Sequence, residues 1–220
     1  MLINESFVSY QGEGRYSGKK TLFVRLQGCN FRCVWCDTPD ALSKDGGSEV
    51  VNDELVKRIN KAEVNNIVFT GGEPLLQYKD LLCVIRKIAS EIKYENPTIE
   101  IETNGTIHPK DLVFQTVHFN VSPKLDHSGM KRSSVFNELI AEYEKSTIRP
   151  DYKFVVDLNS DKPLAEVFNF YYDFDIPPDR IWLMPLGTVN YEIIGNVAKL
   201  MRMDHPFNVS SRNHIIYGVK

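Results

Sequence analysis

The chain predicts an α/β fold assembled from parallel β/α units. Three observations carry this reading. Apolar, β-branched runs of strand length recur along the sequence, helical stretches separate most of them, and strand after strand ends in a polar or glycine-bearing word. The strand-like runs are TLFVRLQG at 21–28, NIVFTG at 66–71, IEIETNG at 99–105, HFNVSPK at 118–124, YKFVVD at 152–157 and IWLMPLG at 181–187. Helical patterns fall at 53–62, 75–93, 134–145, 161–171 and 191–203. The connection IHPKDLVFQT, between the third and fourth strands, has room for about one turn, so that helix is reduced or missing. Before the first of these strands, LINESFVSYQGEG alternates weakly and adds an edge strand or hairpin.

Composition bounds the rest. With 220 residues, 42% of them hydrophobic, and no Gly/Ser-rich or Pro-rich linker, the chain can bury one sizeable core, so a single domain over 1–220 is expected. A formal net charge of −3 and no basic cluster longer than Lys131-Arg132 disfavour nucleic acid as a partner. No leader-like segment opens the sequence and no apolar run approaches about 18 residues. A cytoplasmic protein with no membrane partner is therefore expected.

The sharpest chemical signal is Cys29, Cys33 and Cys36, a C-x3-C-x2-C run after the first strand, with a fourth cysteine far off at Cys83. Three thiolates from one tight loop can hold three irons of a 4Fe–4S cube and leave the fourth iron open to a small molecule. They can also hold zinc, although a structural zinc site normally takes four protein ligands. Cys83 does not complete the set. In its helix Leu81, Ile85, Ile88 and Ile92 recur as the buried stripe, and Cys83 falls with Lys79, Arg86, Lys87 and Ser90 on the other side.

Four strands end in suggestive words: Gln27-Gly28, Thr70-Gly71-Gly72-Glu73-Pro74, Glu102-Thr103-Asn104-Gly105 and Ser122-Pro123-Lys124. Each alone is ordinary turn chemistry. In parallel β/α architectures, however, loops at this rim converge on ligands. The paired glycines at 71 and 72 let backbone groups come close to a ligand, Glu73 offers a carboxylate for an ammonium, and Pro74 fits the first turn of the next helix. An open iron near such a word describes an amino-acid chelate.

Other residues admit two readings. Gln11 and Glu13, in Gln11-Gly12-Glu13-Gly14, either bind the amide-like edge of a ligand or form a hairpin turn. Arg25 shares a strand face with Phe23 and Gln27 and needs a partner, either a carboxylate ligand or an internal salt bridge. Asp37 and Thr38 offer hard oxygens that suit Mg2+, or make a turn before Pro39. Phe31 and Trp35 shield the cysteine loop from solvent, and His108, His118, His127 and His205 read as structural.

Taken together, the cysteine loop after the first strand and GGEP after the second resemble the radical S-adenosylmethionine superfamily. With QGEG at 11–14, Arg25, CDT at 36–38, ETNG at 102–105 and SPK at 122–124, the chain resembles the 7-carboxy-7-deazaguanine synthase family. The matching words span about the first 125 residues, and the tail SSRNHIIYGVK is a looser match. This resemblance implies a partial (β/α)6 barrel with a tail extension. It implies a lyase-type enzyme with a 4Fe–4S cluster, S-adenosylmethionine and Mg2+, which converts 6-carboxy-5,6,7,8-tetrahydropterin to 7-carboxy-7-deazaguanine with loss of ammonia, a step toward queuosine. It further implies an electron donor such as flavodoxin or ferredoxin, and a homodimer.

By the same resemblance Cys29, Cys33 and Cys36 hold the cluster, and Gly71, Gly72, Glu73, Thr103, Asn104, Ser122 and Lys124 bind S-adenosylmethionine. Gln11, Glu13, Arg25 and Thr70 contact the substrate, Thr38 binds Mg2+ and Asp37 steers a water. The tail folds over the substrate, bringing in His214, which otherwise reads as a packed residue of an apolar strand, and the carboxylate of Lys220. Two alternatives remain: a glycyl-radical-enzyme activase, and a non-catalytic zinc or iron–sulfur binding module.

Overall fold

The computed structural model describes residues 1–91, 97–131 and 135–219. Among them, nine strands form one sheet in the order β3-β1-β2-β4-β5-β6-β7-β8-β9. The strands are β1 (Leu2–Tyr10), β2 (Lys20–Leu26), β3 (Ser48–Glu49), β4 (Asn66–Gly71), β5 (Thr98–Thr103), β6 (His118–Val121), β7 (Asp151–Val156), β8 (Ile181–Pro185) and β9 (Asn208–Val209). From β2 onward along the sheet, through β4 to β9, all neighbours are parallel; β1 pairs antiparallel with β2 and β3. The sheet ends at β3 and β9, so the barrel is partial.

The helices are α1 (Asn52–Lys61), α2 (Tyr78–Glu91), α3 (Phe136–Tyr143), α4 (Lys162–Phe174), α5 (Asn190–Met201) and the short α6 (Asn213–Ile216). Each of the longer ones lays an apolar stripe on the sheet: Leu55, Val56 and Ile59 from α1, for example, and Leu81, Val84, Ile85 and Ile88 from α2. α1 also places Asp53 and Glu54 in its first turn and Arg58 and Lys61 in its last, which complements the helix dipole. Between β5 and β6 the chain makes only a 3-10 turn, Lys110–Phe114, as the short connection requires. No helix among the described residues is long and apolar enough to cross a membrane.

The two-residue period of the strands divides their side chains cleanly. Leu22, Val24 and Leu26, Ile67 and Phe69, Ile99 and Ile101, Phe119 and Val121, Tyr152, Phe154 and Val156, and Ile181 and Leu183 join the helices in one apolar core. The alternate residues include Arg25, Thr70, Glu102, Asn120, Lys153 and Met184, which line a cavity on the other face. The fold is thus greasy outside the sheet and polar inside it.

The N-terminal segment forms the expected hairpin, β1 pairing antiparallel with β2, and β3, from the loop after the cysteines, adds to its outer side at Leu2 and Ile3. One expectation needs correction. The tail is not an apolar strand: residues 213–216 form the helical turn α6, held by bonds from the Ile215 and Ile216 N–H groups to the Arg212 carbonyl. The two-residue strands β3 and β9 carry no periodicity and were not expected. Ile92, the beginning of the helix expected at 134 and Lys220 fall outside the described residues.

Candidate active site

The three motif thiols open onto one cavity of about 240 Å³. Phe31, Trp35 and Leu42 flank them on the apolar side. The loop that carries them is pinned at both ends. At its start, Gly28 N–H donates to Ala41 O (2.8 Å) and Cys29 N–H to Leu42 O (3.1 Å). Across the site, Asn30 accepts from the Asn104 amide (2.9 Å) and donates to the Thr106 hydroxyl (2.7 Å). Farther along, Val34 N–H donates to Ser128 O (3.0 Å), and Trp35 stacks on His127 at 5.8 Å between centroids. Burial pushes the Cys29 and Cys33 thiols up in pKa, a cost that a positively charged metal centre offsets by taking the thiolates. Cys83 is on α2 and does not line the cavity, so the loop offers a cluster three thiols and no fourth. This donor set fits a cube with one iron open.

The GGEP word does more than its residues suggested. A Cβ on Gly71 would lie 2.2 Å from Leu26 O, and one on Gly72 would lie 2.2 Å from Gly28 O. Both glycines are therefore required by the close approach of β4 to the root of the cysteine loop, where Gly72 N–H donates to Leu26 O (3.1 Å) and Glu73 N–H to Gly28 O (2.8 Å). The Glu73 carboxylate is fully buried and already engaged by Leu75 N–H (3.0 Å), the Thr103 hydroxyl (2.8 Å) and Asn104 N–H (2.7 Å). Burial pushes its pKa up against those bonds. It braces β4 against β5 from behind the cavity wall, with Oε2 accepting, among the described residues, only from Asn104, while Gly71 and Gly72 line the cavity with their main chain. Asn104 is likewise held by Asn30, and its Oδ1 accepts from Thr106 N–H (3.0 Å).

Thr103, Ser122 and Lys124 share the cavity wall near the thiols. Lys124 Nζ donates to Ser122 Oγ (2.9 Å) and lies 5.6 Å from the Trp35 ring centroid. Burial lowers its pKa, while the nearby Cys33 acts the other way.

The same cavity is lined by the other expected residues. Arg25 Nε donates to Glu5 Oε1 (3.0 Å) and its Nη1 reaches Thr38 Oγ1 (3.4 Å), so the internal salt bridge exists and one edge of the guanidinium still faces the cavity. Thr38 donates to Asp37 Oδ1 (3.0 Å), and Asp37 pairs with Arg212. Glu13 pairs with Lys153 and lies 3.5 Å from Arg212. Burial would raise the Glu13 pKa, but Lys153, Arg212 and His214 together hold it at about 2. Against its own burial, Lys153 is pushed up by Glu13 and Glu102. Thr70 donates to Glu102 Oε2 (2.7 Å).

The tail does close on this cavity. Asn213 N–H donates to Gly12 O (3.0 Å), Gly14 N–H to Ser210 Oγ (2.9 Å), and a Cβ on Gly12 would lie 2.3 Å from His214 Nδ1. Apart from the buried Glu73 and the undescribed Lys220, every expected site residue lines this one cavity. Sequence reasoning missed Glu100, Lys153 and Arg212. The first carried a signal, since Glu100 and Glu102 alternate with isoleucines in IEIET and must share the non-core face; Lys153 carried none beyond being a charge in an apolar strand, and Arg212, in the polar run SSRNH, carried none.

A partial parallel barrel with a three-cysteine loop after its first parallel strand defines a radical S-adenosylmethionine protein, and residues 23–115 match the Radical SAM superfamily model. The chain is 45% identical over 218 residues to the 7-carboxy-7-deazaguanine synthase of Thermoplasma acidophilum, covering 94% of this chain and 99% of that one. It is 36% identical over 191 residues to the synthase of Pyrobaculum aerophilum, covering 84% and 79%. The crystal structure of QueE from Escherichia coli has the same fold, with a TM-score of 0.67 at 23% identity over 95% of this chain and 92% of that one. The chain belongs to the 7-carboxy-7-deazaguanine synthase family. It is a lyase-type radical enzyme of 7-deazapurine biosynthesis, and its cofactors are a 4Fe–4S cluster and S-adenosylmethionine.

Proposed function

We propose that this chain converts 6-carboxy-5,6,7,8-tetrahydropterin to 7-carboxy-7-deazaguanine and ammonia. The observation that carries the reading is that the three motif thiols and the fixed donors and acceptors Gln11, Glu13, Arg25 and Thr70 line one and the same cavity. The cluster held by Cys29, Cys33 and Cys36, with S-adenosylmethionine bound, would supply the one-electron chemistry that removes a hydrogen atom from the substrate. The chain's part is to bind, orient and exclude water.

Cys29, Cys33 and Cys36 hold the cluster. The main chain at Gly71 and Gly72, with Thr103, Ser122 and Lys124, holds S-adenosylmethionine, while Glu73 and Asn104 brace that surface. Arg25 takes the substrate carboxylate on the guanidinium edge that Glu5 leaves open. Glu13, fixed as an anion by Lys153, accepts from the N–H groups of the pterin edge, and Gln11 lies beside it. His214 covers the substrate. Thr38, with Asp37 hydrogen-bonded to it and Arg25 beside it, would hold Mg2+ with retained waters, and the ion would offset negative charge on the substrate. A one-electron donor of the flavodoxin or ferredoxin type reduces the cluster, the single domain over 1–220 acts in the cytoplasm, and two copies form a homodimer.

The test is anaerobic reconstitution with iron and sulfide, followed by reaction with S-adenosylmethionine, reductant and the carboxylated tetrahydropterin. Release of ammonia and the deazapurine without any protein partner is expected. Formation of 5′-deoxyadenosine alone, with a glycyl radical on an added protein, would instead establish an activase.

A further inference from the structure

Glu100 is 1% exposed, faces the polar side of the sheet from β5, and does not itself line the cavity. Its Oε1 accepts from Asn120 Nδ2 (2.9 Å), and its Oε2 is 3.4 Å from Gln11 Nε2. The same Gln11 nitrogen donates to Glu102 Oε1 (3.2 Å), so one amide bridges two carboxyls two residues apart. Gln11 Oε1 in turn accepts from Glu13 N–H (3.2 Å), which ties this carboxyl pair to the loop expected to read the pterin. Among the described residues, neither Glu100 nor Glu102 has a cation at ion-pair distance. Glu102 is half-buried, lines the cavity and has the Thr70 hydroxyl as a second donor, whereas Glu100 is buried with neutral amides alone on its oxygens, so of the two it is Glu100 that keeps a proton. An acceptor for that proton is at hand: Asn120 Oδ1 is buried with no partner, and turning the Asn120 amide over presents this oxygen to a Glu100 O–H.

We propose that Glu100 is a positioning residue, held as the neutral acid, that orients the Gln11 and Asn120 amides for the substrate, so that substrate binding weakens when Glu100 ionises. The charged and titratable groups facing it are Glu102 on its own strand, Lys153 on β7, Tyr16 on the turn after the Gln11 loop and His118, its register partner on β6. Burial, and then the Glu102 charge, push the Glu100 pKa up to about 8, with Asn120, Lys153 and Gln11 opposing. Above that pH a second anion would repel Glu102, compete for Gln11 and draw Lys153 from Glu13. The inference rests on the substrate reading above, because it assigns Gln11 to the pterin.

The experiment pairs steady-state kinetics of the reconstituted enzyme with infrared difference spectra of glutamate-labelled protein without substrate. In the wild type, KM for the carboxylated tetrahydropterin should rise about tenfold between pH 7 and 9 while kcat moves less than about threefold. Glu100→Gln keeps a neutral hydrogen-bonding side chain and should flatten that rise. Glu100→Ala should raise KM by about tenfold at pH 7 already. The carbonyl stretch of a protonated carboxyl should be present in the wild type at pH 7, fade near pH 8 and be missing in Glu100→Gln. An alkaline rise in KM that persists in Glu100→Gln, or the absence of that stretch at pH 7, overturns the proposal. If the enzyme makes no deazapurine at any pH, the substrate reading fails, while the infrared readout still decides whether Glu100 is the neutral acid.

Discussion

The two faces of the parallel sheet are built from the same strands, one residue apart, and obey opposite rules. On the helix side Phe119, Tyr152, Phe154 and Phe170 are fully buried against aliphatic neighbours, and shape decides what is tolerated. On the other side Glu13, Arg25, Glu100, Glu102 and Lys153 are held by partners they reach across loops and strands, and charge decides. The comparison teaches that stability and chemistry in this chain are separable by strand parity. A substitution on one face should register mainly in a melting curve, and one on the other mainly in turnover.

The largest expected effect lies beyond both faces, at the cluster loop. Cys33→Ala should take the reconstituted protein from about four irons to almost none and abolish turnover, read by metal analysis and absorbance. The apo protein should melt as before, because Cys33 belongs to no apolar core. Next comes the core side. Phe154→Ala should cost about 3–5 kcal/mol in a denaturant titration, since its ring packs on Phe170 at 5.0 Å.

Lys153→Met tests where the separation breaks. It removes the nearer of the two cations on Glu13, leaving Arg212 at 3.5 Å, and should cost about 2 kcal/mol at neutral pH, with Glu13→Gln added to it restoring most of the loss. The sign follows from Glu13: its folded pKa, at about 2, lies below the ordinary value of 4.5, so its contribution is present above 4.5 and is lost as pH falls toward 2. The wild-type advantage over Glu13→Gln should therefore vanish in acid. Arg25→Lys should raise substrate KM by about tenfold and leave S-adenosylmethionine binding near normal; equal loss of both with a lower melting temperature would make Arg25 a partner of Glu5 alone. Smallest of all, Cys83→Ala should change stability by less than about 0.5 kcal/mol and leave iron content alone.

Most of this was legible before the structure. The six parallel strands and five helices announced themselves because both sheet faces are packed and the periods are long enough to count, and the missing α-helix before β6 followed from chain length alone. The cysteines and the polar rim words converge because parallel strands all end on one side. What escaped has physical reasons. β3 and β9 are two residues each and exist only because neighbours offer them hydrogen bonds. Lys153 sits in an apolar strand, and only the return of the Gln11–Glu13 loop gives it a partner. The bracing part of Glu73 was not legible, because Leu75, Thr103 and Asn104 gather around its carboxylate only in the fold.

The docking of the tail on the Gln11–Glu13 loop also sets an order of events. Gly12 meets Asn213 and Gly14 meets Ser210, contacts that join the two ends of the described chain and close very long loops. During synthesis the cysteine loop, β4 and β5 can assemble their braces long before residue 210 is made. The substrate wall cannot. A nascent or truncated chain would thus acquire the means to generate a radical before it acquires the pocket that directs one, and late cluster loading, after the tail has docked, is the sequence of assembly that keeps the two in step.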